Sequence, residues 1–189
     1  MRLRQSQITF WCHEIIRCQA QAEGFYIDAT MGKGNDTLFL CKLAGESGRV
    51  LAFDVQEEAL RRTGQLLEES GMRKRAELVL DGHEHMERYA KPETADVICF
   101  NFGYLPGGDH RVSTSADTSV EAVKKGLGIL KHGGMMSLCI YSGGDTGFEE
   151  KKKILGYIQN LPAREYTVIV NAYYNRANHP PLPVFIFKK

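Results

Sequence analysis

The stretch "DATMGKGNDT", residues 28–37, follows a short apolar run, "GFYI", and holds Gly32 and Gly34 between two carboxylates, Asp28 and Asp36. Glycines at such a turn let a ligand approach the backbone closely. A phosphate loop of the form G-x-x-x-x-G-K-[ST] is excluded, because Lys33 is followed by Gly34. A dinucleotide fingerprint, G-x-G-x-x-G/A, is met at Gly32 and Gly34 but has Thr37 in its third place, and Asp28 would sit unfavourably near a pyrophosphate. S-adenosylmethionine fits better, since it carries a sulfonium, an ammonium, a carboxylate and a ribose diol but no phosphate. Asp28 suits the ammonium, directly or through water, and the helix-start amides after Gly34 suit the carboxylate. Asp54 ends the next apolar run about 20 residues beyond Gly34, where an acid can take both ribose hydroxyls. Asp81 and His83, after "AELVL", fall near the expected adenine edge. Glycine turns alone are common; acids at successive run ends single out this ligand.

A second group of reactive residues follows a fourth apolar run. Methyl transfer from a sulfonium is an in-line displacement, so positioning supplies much of the acceleration. An amine acceptor must also lose a proton to expose its lone pair. "NFGY", residues 101–104, resembles the N/D-P-P-Y loops of amine-directed methyltransferases. The Asn101 carbonyl can accept an amine N–H and aim the lone pair, and Tyr104 can stack on a pyrimidine. The plainer reading is that Asn101 caps a strand end while Tyr104 packs. Asp109 and His110 lie in the same long loop; His110, with an ordinary pKa of about 6.5, is a candidate proton acceptor, a phosphate contact or a plain loop histidine. Asn175 and Asn178, before "HPPLP", can line the acceptor side or serve turn chemistry only. His13 can close over the ligand from the first helix, but an isolated helix histidine reads as structural and stays outside the candidate set.

These residues need elements to hold them. Ile8, Trp11, Cys12, Ile15 and Ile16 recur at helical spacing within residues 6–21. "GFYID" reads as a strand, "NDTLFLCKLAG" as a helix, "GRVLAFDV" as a strand and residues 56–70 as a helix. "AELVL" is a third strand leading into a short helix in "DGHEHMERYA", and "ADVICFN" a fourth, apolar enough for burial on both faces. A loop over residues 102–116, a helix over 117–131, a strand within "GGMMSLCIYSGG" and a helix in "FEEKKKILGYIQNL" follow. "EYTVIVNAYYN" and "PVFIFKK" close the chain as two strands. The alternation predicts one α/β domain over residues 1–189: a doubly wound, mostly parallel, Rossmann-like sheet of seven strands with an antiparallel C-terminal edge hairpin.

Charge does not select a partner, because 24 Lys and Arg nearly cancel 23 Asp and Glu. Basic runs at 73–75, 124–125 and 151–153, with Arg111, Arg176 and the final two lysines, are candidate RNA contacts, but short runs are usually solvated helix faces. Five cysteines without a CxxC pair argue for buried thiols rather than a metal or disulfide framework. His83, Glu84 and His85 do not form a standard ligand set, and no metal is expected. No apolar run approaches a membrane span, and the first 20 residues lack the pattern of a signal peptide. A cytoplasmic location is therefore expected. Homodimerisation is compatible with the pattern but not specified by it.

"DATMGKGNDTLFL", "NFGYLPGGDH" and "NRANHPPLPVFIFKK" together resemble the small class I methyltransferases of the MnmM type, long labelled as rRNA methylases. The resemblance runs from "WCHEII" to the C-terminus. It implies an S-adenosylmethionine-dependent enzyme that methylates the 5-aminomethyl group of 2-thiouridine at the tRNA wobble position, with the anticodon stem-loop as partner. By the motif, Asp28, Thr30, Gly32, Gly34, Asp36 and Thr37 would then be cofactor-cradle positions, with Asp54 on the ribose; Asn35, Gln56, Asp81, His83 and Asn101 complete the set of candidate cofactor residues. By the motif, Asn101 to Pro106 would face the methyl acceptor; with the residues singled out above, the candidate set is Asn101, Tyr104 and His110 as catalytic and Tyr104, Pro106, Gly107, Asp109, Arg111, Asn175 and Asn178 as acceptor-facing. Lys33 stands where the family is expected to have asparagine, and Phe102 replaces a more usual leucine; neither removes a group that the mechanism requires. A ribosomal RNA base methyltransferase, or a non-catalytic RNA-binding module on the same fold, are the rival readings. A dinucleotide oxidoreductase is more distant.

Overall fold

The computed structural model describes residues 8–102, 116–142, 144–176 and 180–189. Its centre is one seven-stranded sheet. β1 (Phe25–Asp28), β2 (Arg49–Asp54), β3 (Ala76–Leu80), β4 (Ala95–Phe102) and β5 (Leu130–Ile140) run parallel, and β7 (Leu182–Lys188) pairs antiparallel with both β5 and β6 (Tyr166–Val170). The strand order is β3-β2-β1-β4-β5-β7-β6.

Alternation along each strand divides the core into two layers, as the pleat requires. Ile27, Leu51, Phe53, Ile98, Phe100, Met136, Leu138 and Ile186 face one layer, shared with α4 (Ala116–Ile129) and α5 (Gly144–Gln159). Tyr26, Val50, Val97, Cys99, Met135, Cys139 and Phe185 face the other, shared with α1 (Ile8–Gln19) and α2 (Asn35–Ala44). α1 docks through Ile8, Cys12 and Ile16, an i, i+4, i+8 stripe. α3 (Glu57–Glu69) turns Ala59, Thr63 and Leu67 inward. At the amino ends of the strands, the buried Asp96 carboxylate accepts the Phe25 N–H at 2.8 Å and pairs with Lys131, joining the starts of β1, β4 and β5. Among the described residues no helix is long and apolar enough to cross a membrane.

The expected fold class holds, and the structure adds the order of the hairpin strands and moves the start of β5. β7, the last strand in the chain, inserts between β5 and β6, so β6 is the edge of the C-terminal hairpin. The four residues Pro183–Ile186 of β7 are buried, whereas Ile169 and Val170 of β6 are about half exposed, so the more apolar strand takes the inner place. β5 also starts at Leu130, inside the stretch expected to end the preceding helix. Its pairing with β4 shifts register between Ala95 and Val97, opposite Gly133, whose φ of 76° suits an irregular strand start.

Candidate active site

The parallel strands bring their carboxyl ends to one edge. Asp28 pairs in register with Ala52 and with Cys99, Asp54 with Leu80, and Asn101 with Cys139. Asp28, Asp54, Asp81 and Asn101, spread over 74 sequence positions, therefore stand along one rim. The β6–β7 connection opens on the same rim, because Val170 pairs with Val184 and Leu182 with Ile140.

Residues 29–34 bridge the middle of that rim. The Ala29 N–H donates to the Cys99 carbonyl at 2.8 Å, and the Met31 N–H to the Phe53 carbonyl at 2.9 Å. Gly34 then closes a tight turn by donating to the Met31 carbonyl at 2.7 Å. Gly32 and Gly34 have φ of 50° and 80°, the left-handed region that glycine enters without a steric penalty. A Cβ on Gly34 would lie 2.8 Å from Thr63 Oγ1 and 3.0 Å from its Cα. The N-cap, Gly34, has no side chain to offer, and among the described residues no side chain accepts from the first-turn amides of α2.

Asp28 has no exposed surface. One of its oxygens accepts the Thr37 hydroxyl at 2.6 Å and the other the Thr30 N–H at 3.2 Å. Burial, followed by the like charge of Asp36, raises its pKa to about 7. The carboxylate lies beneath the loop and organises it. Asp54 is more open, and each of its oxygens accepts one backbone N–H, from Gly32 at 3.1 Å and from Gln56 at 3.0 Å. Val55 beside it is 57% exposed, an apolar surface that the sequence reading passed over.

Asp81 is held by its own turn, accepting the Gly82 N–H at 2.8 Å, a His85 ring N–H at 2.7 Å and the Tyr89 hydroxyl at 2.9 Å. The His85 hydrogen bond contributes most to holding its carboxyl below the ordinary range. His83 is buried, which depresses its pKa and keeps the ring neutral. Its Nδ1–H donates to the Ala29 carbonyl at 3.3 Å, and its Nε2 has no partner among the described residues. Asn35 and Lys33 project outward. Phe102 is buried and stacks on Phe100 with centroids 5.0 Å apart, so its ring is part of the core.

Asn101 is fixed twice. Its backbone N–H donates to Thr30 Oγ1 at 2.7 Å, and its side-chain amide donates to Asp36. Its Oδ1 accepts no hydrogen bond among the described residues. The other oxygen of Asp36 accepts from His13 Nε2 at 2.7 Å. His13, set aside on sequence grounds, thus reaches the site from α1; its only sequence signal was a polar ring next to buried Cys12. Asn175 is exposed in the β6–β7 connection, at the same rim, and makes no hydrogen bond to the cradle among the described residues. Tyr104, Pro106, Gly107, Asp109, His110, Arg111 and Asn178 lie outside the described residues.

A sheet of this order with a glycine loop and acids at its rim has the class I methyltransferase architecture. Residues 50–187 match the model of a family described as "Putative rRNA methylase", and the chain belongs to that family. It is 38% identical over 173 residues to the Arabidopsis thaliana "tRNA (mnm(5)s(2)U34)-methyltransferase, chloroplastic"; the match covers 86% of this chain and 62% of that protein. A "putative rRNA-methylase" from Clostridium thermocellum is similar at 38% identity and a TM-score of 0.95, over 99% of this chain and all of that one. A "putative methyltransferase" from Streptococcus mutans in complex with SAH is similar at 35% identity and a TM-score of 0.87, over 97% and 99% of the two chains.

Proposed function

We propose that this chain is an S-adenosylmethionine-dependent tRNA methyltransferase whose acceptor is the 5-aminomethyl amine of 2-thiouridine at the wobble position. The observation that carries the reading is Asn101: its amide nitrogen is taken by Asp36, so Oδ1, which accepts no hydrogen bond among the described residues, is the atom offered to an N–H. The name of the Arabidopsis relative supports the tRNA acceptor, and the SAH bound in the Streptococcus mutans protein supports the methyl donor.

The cradle fits that donor chemically. The uncapped amides of α2 suit its carboxylate. Asp54 keeps lone pairs on both oxygens for two ribose hydroxyls, and Val55 offers an apolar face to a ring. The negative field of Asp28 and Asp36 favours a cationic ligand above the loop. When bound, the cofactor supplies an electrophilic methyl group. Asn101 Oδ1 accepts an amine N–H and directs the nitrogen lone pair along the line of displacement, a positioning role. Tyr104, Pro106, Gly107, Asp109, His110, Arg111, Asn175 and Asn178 complete the acceptor side in this reading, with the anticodon stem-loop as partner.

Nucleoside mass spectrometry tests it. The purified protein and S-adenosylmethionine are incubated with tRNA bearing 5-aminomethyl-2-thiouridine and, separately, with unmodified ribosomal RNA. Conversion to the methylaminomethyl nucleoside is expected. A methylated ribosomal base without a tRNA product would move the substrate to the second reading, which the family description favours.

A further inference from the structure

We propose that His13 is a positioning residue for methyl transfer, acting through Asp36 on the side-chain amide of Asn101. The inference rests on the reading of Asn101 given above and adds a residue from an element outside the cradle.

An asparagine amide can turn over about its last bond, which exchanges donor and acceptor. A carboxylate accepts only, so Asp36 selects the orientation in which Nδ2 faces it and Oδ1 faces away. Asp36 stands in the first turn of α2 and is itself partly exposed, so something must keep its rotamer. His13 does so: Nε2–H donates to Asp36 Oδ1 at 2.7 Å while Asn101 uses Oδ2. The imidazole is fixed in turn. It stacks on Phe39, also on α2, with ring centroids 3.7 Å apart and planes 5° apart. Arg17 of α1 also lies over the Phe39 ring, its guanidinium carbon 5.1 Å from that centroid. α1 is anchored by buried Cys12 and Ile16 on either side of His13. The relay thus runs from a docked helix, through one carboxylate, to the residue at the end of β4.

The relay predicts a specific pattern. His13→Leu keeps bulk against Phe39 but removes the donor; His13→Gln keeps a donor of similar reach. Steady-state kinetics on the modified tRNA, the S-adenosylmethionine dissociation constant and the unfolding midpoint are measured for wild type and both variants. H13L is expected to lower kcat about tenfold or more while both KM values and cofactor affinity stay within about threefold. H13Q is expected to recover most of the lost kcat. A second readout needs no substrate: the Asn101 side-chain amide protons, seen by 15N NMR, exchange slowly in wild type and H13Q and faster in H13L.

Wild-type kcat in H13L, H13Q as impaired as H13L, or equal losses of kcat and cofactor affinity would each overturn the proposal. If the wild type does not methylate the tRNA, the acceptor assignment fails. The relay is then supported by exchange that accelerates only in H13L and overturned by exchange that is unchanged.

Discussion

The hydroxyl of Thr37 donates to the wholly buried carboxylate of Asp28 at 2.6 Å, a shorter bond than the one that carboxylate receives from the Thr30 N–H at 3.2 Å. The pair joins the end of β1 to the first turn of α2 and so fixes the span of the glycine loop between them. Thr37→Val preserves shape and deletes the donor. It is expected to cost about 1–3 kcal/mol, the penalty for leaving a buried acceptor unsatisfied. Urea unfolding of the ligand-free protein measures it; an unchanged midpoint and slope would show that the bond carries no net stability.

Asp28 also sets a pH dependence. Its folded-state pKa is raised from 3.8 to about 7, mainly by burial. Between those values the folded state keeps a proton that the unfolded state has lost, so this group's contribution to stability falls as pH rises through the window and levels off above about 7. Asp28→Asn removes the titration and should flatten the midpoint-versus-pH curve over that range. Cofactor affinity should rise with pH through about 7 in wild type, because the ionised carboxylate favours a cationic ligand, and should lose that rise in the variant. Calorimetry across the range checks both.

Gly34 tests the loop geometry. Alanine there faces a φ of 80° and a Cβ 3.0 Å from the Thr63 Cα, which truncation of Thr63 cannot relieve. Gly34→Ala should destabilise the protein by about 1–3 kcal/mol and weaken S-adenosylmethionine binding. Thr63→Ser in the same chain should not restore either. Full rescue by that second change would mean that the methyl group of Thr63, and not the backbone, sets the requirement for glycine.

Asn101→Ala separates binding from chemistry. The side chain orients the acceptor in the proposed mechanism, so cofactor affinity should stay within about threefold while kcat falls about a hundredfold, as for a misplaced reactant. Single-turnover methylation of the modified tRNA gives the rate. Turnover at the wild-type level would remove Asn101 from the mechanism.

The sequence by itself determined the parts whose signals are local. Short continuous apolar runs in "GFYID", "GRVLAFD" and "ADVICFN" marked strands buried on both faces, the breakers between them marked the α/β alternation, and the glycines at 32 and 34 marked a tight turn. From these the rim of Asp28, Asp54, Asp81 and Asn101 followed, because parallel strands must end at the same edge. Tertiary structure decided what depends on partners distant in the chain. β7 took the inner place over β6 because its side chains bury better on both faces. Asp28 went fully beneath the loop, which its position in the motif did not reveal. His13 met Asp36 across 23 residues, and Asp36 met Asn101 across 65, only because α1 docks beside α2 on one layer of the sheet. A histidine on an isolated amphipathic helix carries no mark of the carboxylate it will face; helix docking, set by Ile8, Cys12 and Ile16, supplies it.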